Sequence, residues 1–94
     1  MIKHVVCFKL NEGESVQKAK EVLLSMKGNV PMIIDIEVGT DLLHSTRSYD
    51  VILQVTLKDM QTLEEYQQDQ YHVNVVKKYM HAVVKNSVAI DYEI

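Results

Sequence analysis

The chain has 94 residues, 47% apolar and 24% charged, with a net charge of −3. That balance describes a folded domain and excludes a disordered segment. Lys and Arg form no long run, and no stretch approaches the roughly 18 consecutive apolar residues of a spanning helix, so neither nucleic acid nor a membrane is an expected partner.

A domain this small buries a modest share of its surface and gains from self-association. Residues 1–94 read as one domain. Cys7 is the only cysteine. An intrachain disulfide is therefore impossible, which fits a reducing compartment, and the expected location is the cytoplasm.

Residues 2–10 alternate and are rich in β-branched side chains, so they read as a strand. Ile2, His4, Val6, Phe8 and Leu10 share one face; Lys3, Val5, Cys7 and Lys9 share the other. Asn11 or Ser15 caps the helix that follows, where Val16, Ala19, Leu23 and Met26 recur at helical spacing. Gly28, Asn29 and Pro31 stop it. Residues 32–40 read as a second strand with Met32, Ile34, Ile36 and Val38 on one face. Residues 39–48 are polar and read as a loop. Residues 49–57 read as a third strand, with Val51, Leu53, Val55 and Leu57 opposite Ile52, Gln54 and Thr56.

Asp59 caps a helix carrying Met60, Leu63 and Tyr66. A second helical pattern runs through Val73, Val76, Met80, Val83 and Val84, and residues 86–94 close the chain as a strand. There Ser87, Ala89 and Asp91 lie opposite Val88, Ile90 and Tyr92. The order is βαββαβ with a split second crossover, an α+β ferredoxin-like fold with a four-stranded antiparallel sheet ordered 4-1-3-2. Right-handed crossovers put the helices on one sheet face. The other face carries Val5, Cys7 and the apolar stripe of the last strand, so a second subunit is expected to cover it.

Tyr66 and His72 are the most informative residues for chemistry. Imidazole is the side chain best placed to move protons near neutral pH, and a phenol can donate to an oxyanion. At roughly 100° per residue, six positions on an unbroken helix point two groups well apart. They face one pocket only if the helix breaks between them. His4 and Asp91 are expected to be near neighbours across adjacent strands. His44 and His81 read as surface groups. His72 and His81 are out of phase on a helix and do not form a metal pair. The glycines are isolated, so no phosphate loop is present. No metal or cofactor is expected.

Four segments carry a resemblance: His4 in IKHVVCFKL, Tyr49-Asp50 opening the third strand, EEYQQDQYH, and AIDYE near the end. Together they resemble the stress-responsive A/B barrel family of dimeric α/β barrels. In that family the middle motif reads Tyr-x-x-His-Pro-x-His. Tyr66 and His72 hold its outer places here, Asp69 stands where the first His would be, and Gln70 where the Pro would be.

The resemblance implies a homodimer whose two sheets close into a barrel, and a stress-related role. The family includes a plant polyketide cyclase. Likeness to it implies catalytic roles for Tyr66 and His72, with Asp91 supporting the histidine. It also implies an apolar pocket lined by Val6, Phe8, Ala19, Leu23, Leu53 and Val55, with His4 at its rim. A carboxylate accepting one imidazole N–H would make the other nitrogen a better base, suited to abstracting a proton beside a carbonyl.

Three readings follow. One is a homodimer binding a small hydrophobic or carbonyl-containing ligand. A second is a cyclase or isomerase with His72 as base, Asp91 as its orienter and Tyr66 as oxyanion donor. The third is a structural oligomer with a filled core.

Overall fold

The computed structural model describes residues 1–94. Strand β1 (Ile2–Leu10) leads into helix α1 (Val16–Leu24), followed by strands β2 (Asp35–Thr40) and β3 (Val51–Leu57). Helix α2 (Met60–Gln68) comes next, then a π-helical stretch (His72–Lys77), helix α3 (Lys78–Val83) and strand β4 (Val84–Glu93). The sheet order is β2-β3-β1-β4 and every neighbouring pair is antiparallel. This is the ferredoxin-like arrangement read from the sequence.

Local signals account for most element boundaries. Ser15 is extended and its hydroxyl accepts from the Lys18 N–H at 3.0 Å, so Ser15, not Asn11, caps α1. Gly28 supplies the positive φ of +84° in the turn beyond the helix, a conformation that costs glycine little. Asp59 caps α2, accepting from the Thr62 backbone at 2.8 Å and from its hydroxyl at 2.7 Å.

Strand β2 is shorter than residues 32–40. Pro31 enters a turn closed by Ile33 N–H to Val30 O at 3.2 Å, and Ile34, 55% exposed, joins the sheet only through its N–H to Thr56 O at 2.9 Å. Strand β3 starts at Val51 because Asp50 ties off β1 instead. Its N–H donates to Phe8 O and its carboxylate accepts from the Leu10 N–H, both at 2.8 Å. At the other end, α3 runs directly into β4, two residues before the expected start.

The core sits between helices and sheet. The inward rows of β1 and β3, from Ile2 and Leu10 to Val51, Leu53, Val55 and Leu57, are buried against Ala19, Leu23 and Met26 of the α1 region. Leu63, Tyr66, Val76, Met80 and Val83 complete it from the second crossover. Val73, placed on that face by helical spacing, is instead 39% exposed, and His72 is buried in its stead. The π turn carries an extra residue per hydrogen-bonded ring, which shifts the phase of the face.

Strand β4 is exposed along nearly its whole length. The sheet face away from the helices carries Val88, Ile90 and Tyr92 on β4 beside Val5 and Cys7 on β1.

The second crossover depends on a break at Asp69. Its ψ of 135° leaves helical space, and its carboxylate accepts the His72 N–H at 3.0 Å, the N-cap geometry of a new helix. The chain thus breaks here without a proline at position 70. Asp69→Ala should lower stability by about 1 kcal/mol. Urea unfolding of the variant checks this, with a lowered midpoint at unchanged slope as the expected result.

Candidate functional site

The break at Asp69 brings the two rings together. Tyr66 ends up with its ring centroid 4.3 Å from that of His72, tilted by 41°. On its other side the His4 ring meets Tyr66 edge-on, centroids 5.6 Å apart. All three are buried. They form a row, imidazole, phenol, imidazole, reaching from β1 to the start of the π-helical stretch.

Each imidazole has one nitrogen engaged. His4 and Asp91 are register partners across β1 and β4, and His4 Nδ1 hydrogen-bonds the Asp91 carboxylate. His72 Nδ1 lies 2.9 Å from the Tyr66 carbonyl. A carbonyl only accepts, so His72 carries its proton on Nδ1, and Nε2 holds the lone pair. Neither Nε2 has a hydrogen-bond partner in the chain, and neither is sealed from solvent.

The expected Asp91–His72 hydrogen bond is therefore not formed. The strand register commits Asp91 to His4. The helix break, meanwhile, leaves the Tyr66 carbonyl at a helix end with only the Asp69 N–H at 3.3 Å, and His72 supplies a second donor.

Burial pushes the His72 pKa below its ordinary 6.5, assisted by the nearby Lys77 charge and His4 and opposed by the Tyr66 carbonyl and Asp69. The ring is accordingly neutral at neutral pH. Tyr66 is fully buried and burial drives its pKa up, so the phenol stays protonated. Its hydroxyl donates to the Met26 thioether at 3.7 Å, a weak acceptor.

These rings form one end of a cavity of about 270 Å³ between the sheet and the second crossover. Of the residues expected to line a pocket, His4, Val6, Phe8, Leu23 and Leu53 do so, together with Tyr66 and His72. Ala19 and Val55 do not reach it. Both are wholly buried where α1 packs on the sheet. Asp91 stands behind His4 and is not part of the wall.

The sequence reading missed Val76 and Met80 as lining residues, as well as the mouth formed by Gln67, Lys77, His81, Ser87 and Ala89. Val76 and Met80 were legible as an inward helix face but not as cavity walls. His81 is exposed, as a surface group would be, yet it borders the opening. The cavity opens there because the inner face of β4, at Ser87 and Ala89, lies exposed.

The family model for the stress responsive A/B barrel domain matches residues 2–94. The chain belongs to that family. No curated protein matches it in sequence. Among solved structures, an A/B barrel chain of this shape is similar to a dimeric ferredoxin-like protein of unknown function from Bacteroides fragilis. The identity is 21%, with 99% of this chain and 95% of that one covered, and the TM-score is 0.84. A dimeric ferredoxin-like protein from Thermobifida fusca is similar at 19% identity, 99% and 90% coverage and TM-score 0.84. A hydroxynitrile lyase from Passiflora edulis is similar at 18% identity, 99% and 92% coverage and TM-score 0.76. At these identities the likeness shows the fold alone. No helix of this A/B barrel domain is long and apolar enough to cross a membrane.

Two outcomes test the geometry. Asp91→Ala removes the only acceptor of a buried imidazole nitrogen and should cost about 1–3 kcal/mol by denaturant titration. His72 has a folded-state pKa below its unfolded value. Stability from keeping it neutral is therefore present above 6.5 and is lost as pH falls through 6.5 toward the lower folded value. Unfolding free energies measured on either side of 6.5 should show this slope, and His72→Phe should flatten it.

Proposed function

We propose that the protein binds a small, largely apolar molecule carrying a carbonyl-type oxygen, in the cavity between sheet and helices. The observation that carries this reading is the cavity itself: apolar walls of Val6, Phe8, Leu53, Val76 and Met80 ending on two imidazoles. A structural oligomer with a filled core has no use for such a space. Its volume lies just below the usual range of ligand sites, so the occupant has few heavy atoms. Hydrogen-bonding groups placed at one end of an apolar slot orient a ligand by its polar end.

The working form is a homodimer in the cytoplasm. Val5, Cys7, Ile52, Val88, Ile90 and Tyr92 make a continuous apolar field on the outer sheet face, and a second copy covers it. Solved neighbours described as dimeric support this, and the lone cysteine supports a reducing location.

Proton transfer at the bound carbonyl compound is the second reading. It is favoured by the free Nε2 of neutral His72, which suits a general base, with Tyr66 alongside and Asp91 acting through His4. A neighbour of similar fold named as a hydroxynitrile lyase supports this second reading.

Binding is tested by amide chemical-shift changes during titration with small ketones, such as 4-phenylbutan-2-one. Shifts should concentrate on residues around His4, Tyr66 and Val76. Ala89→Trp, at the exposed rim, should abolish them while the fold persists. Saturable shifts that survive Ala89→Trp, or no shifts at all, would refute the cavity reading. For the dimer, Ile90→Asp should convert the sedimenting species from dimer to monomer.

A further inference from the structure

The ionisable groups on the cavity wall are unlike those of the protein as a whole. The chain carries more acidic than basic residues, 13 against 10. Yet the wall contains His4, His72, Lys77 and His81, with Tyr66 the only other titratable group, and no Asp or Glu. A cation at the edge of a concave, partly buried site acts strongly on whatever enters.

Lys77 is the formal cation of this set, and its ammonium is available. The ion pairs of the chain are His4–Asp91, Lys9–Asp50 and His44–Asp41, and none involves Lys77. One of its three donors goes to the Gln67 carbonyl at 2.9 Å, which ties the side chain to another residue of the cavity wall. Two donors remain for a ligand. His81, one helical turn further on, borders the same mouth, with the Ser87 side of β4 opposite. The π-helical stretch ends at Lys77, so the turn that sets His72 inward also delivers the lysine to the rim.

We propose that the ligand of this cavity is an apolar carboxylate, held with its acid group at the Lys77–His81 mouth and its apolar body between Val6, Leu53, Val76 and Met80. This rests on the binding reading above and narrows it to a class: short fatty or aryl-alkyl acids in preference to their neutral counterparts. The arrangement also has a consequence for orientation. An acid anchored at the rim points its body inward toward His4, Tyr66 and His72, so a second oxygen along that body would lie nearest the imidazoles.

The test compares two probes that differ only in charge, octanoate and octanamide, by titration of the wild-type protein followed through amide shifts. Octanoate should bind on the order of tenfold more tightly than octanamide, the scale expected of one partly solvated charge contact. Lys77→Gln should erase that preference, so that octanoate and octanamide bind the variant equally, and Lys77→Arg, which keeps the charge, should retain it. Equal binding of the two probes by wild type, or a preference untouched in Lys77→Gln, would overturn the carboxylate assignment and leave the cavity reading standing. If neither probe binds and the ketones above also fail, both readings fall together.

Discussion

The backbone hydrogen bond from His72 to the Asp69 carboxylate is the constraint on which the site depends. Without a break there, α2 would continue and carry Tyr66 and His72 to different sides of one helix. With it, the helix restarts, the two rings lie 4.3 Å apart, and the Tyr66 carbonyl accepts a hydrogen bond from His72 Nδ1–H. That one bond therefore fixes a tautomer as well as a direction. An aspartate in this role differs from a proline break in kind: it satisfies a helix N-terminal donor instead of merely removing one.

The sheet contributes the complementary half. Antiparallel pairing of β1 with β4 sets His4 opposite Asp91, and the pleat turns both toward the helices. The same pleat turns Val88, Ile90 and Tyr92 away from them. One strand thus serves two surfaces, supporting an imidazole on one side and presenting an apolar stripe on the other. Because helices pack mainly over β2 and β3, the inner face of β4 stays uncovered, and the cavity opens at that edge.

The polar groups are distributed with economy along this cavity. Buried imidazoles each spend one nitrogen on a structural partner and keep the other open, so burial incurs no unpaired polar atom. The buried phenol, held protonated, rests on a weak thioether acceptor. The cation stays at the rim, where water still solvates it and desolvation costs least. An apolar interior with polar groups at its two ends follows from these costs.

The residues alone determined the element order, the inward rows of β1 and β3, the cap at Asp59, and the ferredoxin-like class, because period-two and helical spacing are local signals. They also placed His4 beside Asp91, since strand alternation carries through pairing. Tertiary structure decided the rest. Asp91 bonds His4 and not His72 because an acceptor serves the donor that strand register sets opposite it. The π-helical stretch is invisible to 3.6-residue spacing, so Val73 and His72 exchanged faces and Lys77 and His81 came to the mouth unannounced. Ala19 and Val55 lie on the right faces but at the contact between α1 and the sheet, where packing leaves no space. Whether a buried apolar residue lines a void or fills a core depends on what packs over it, and only the assembled layers settle that.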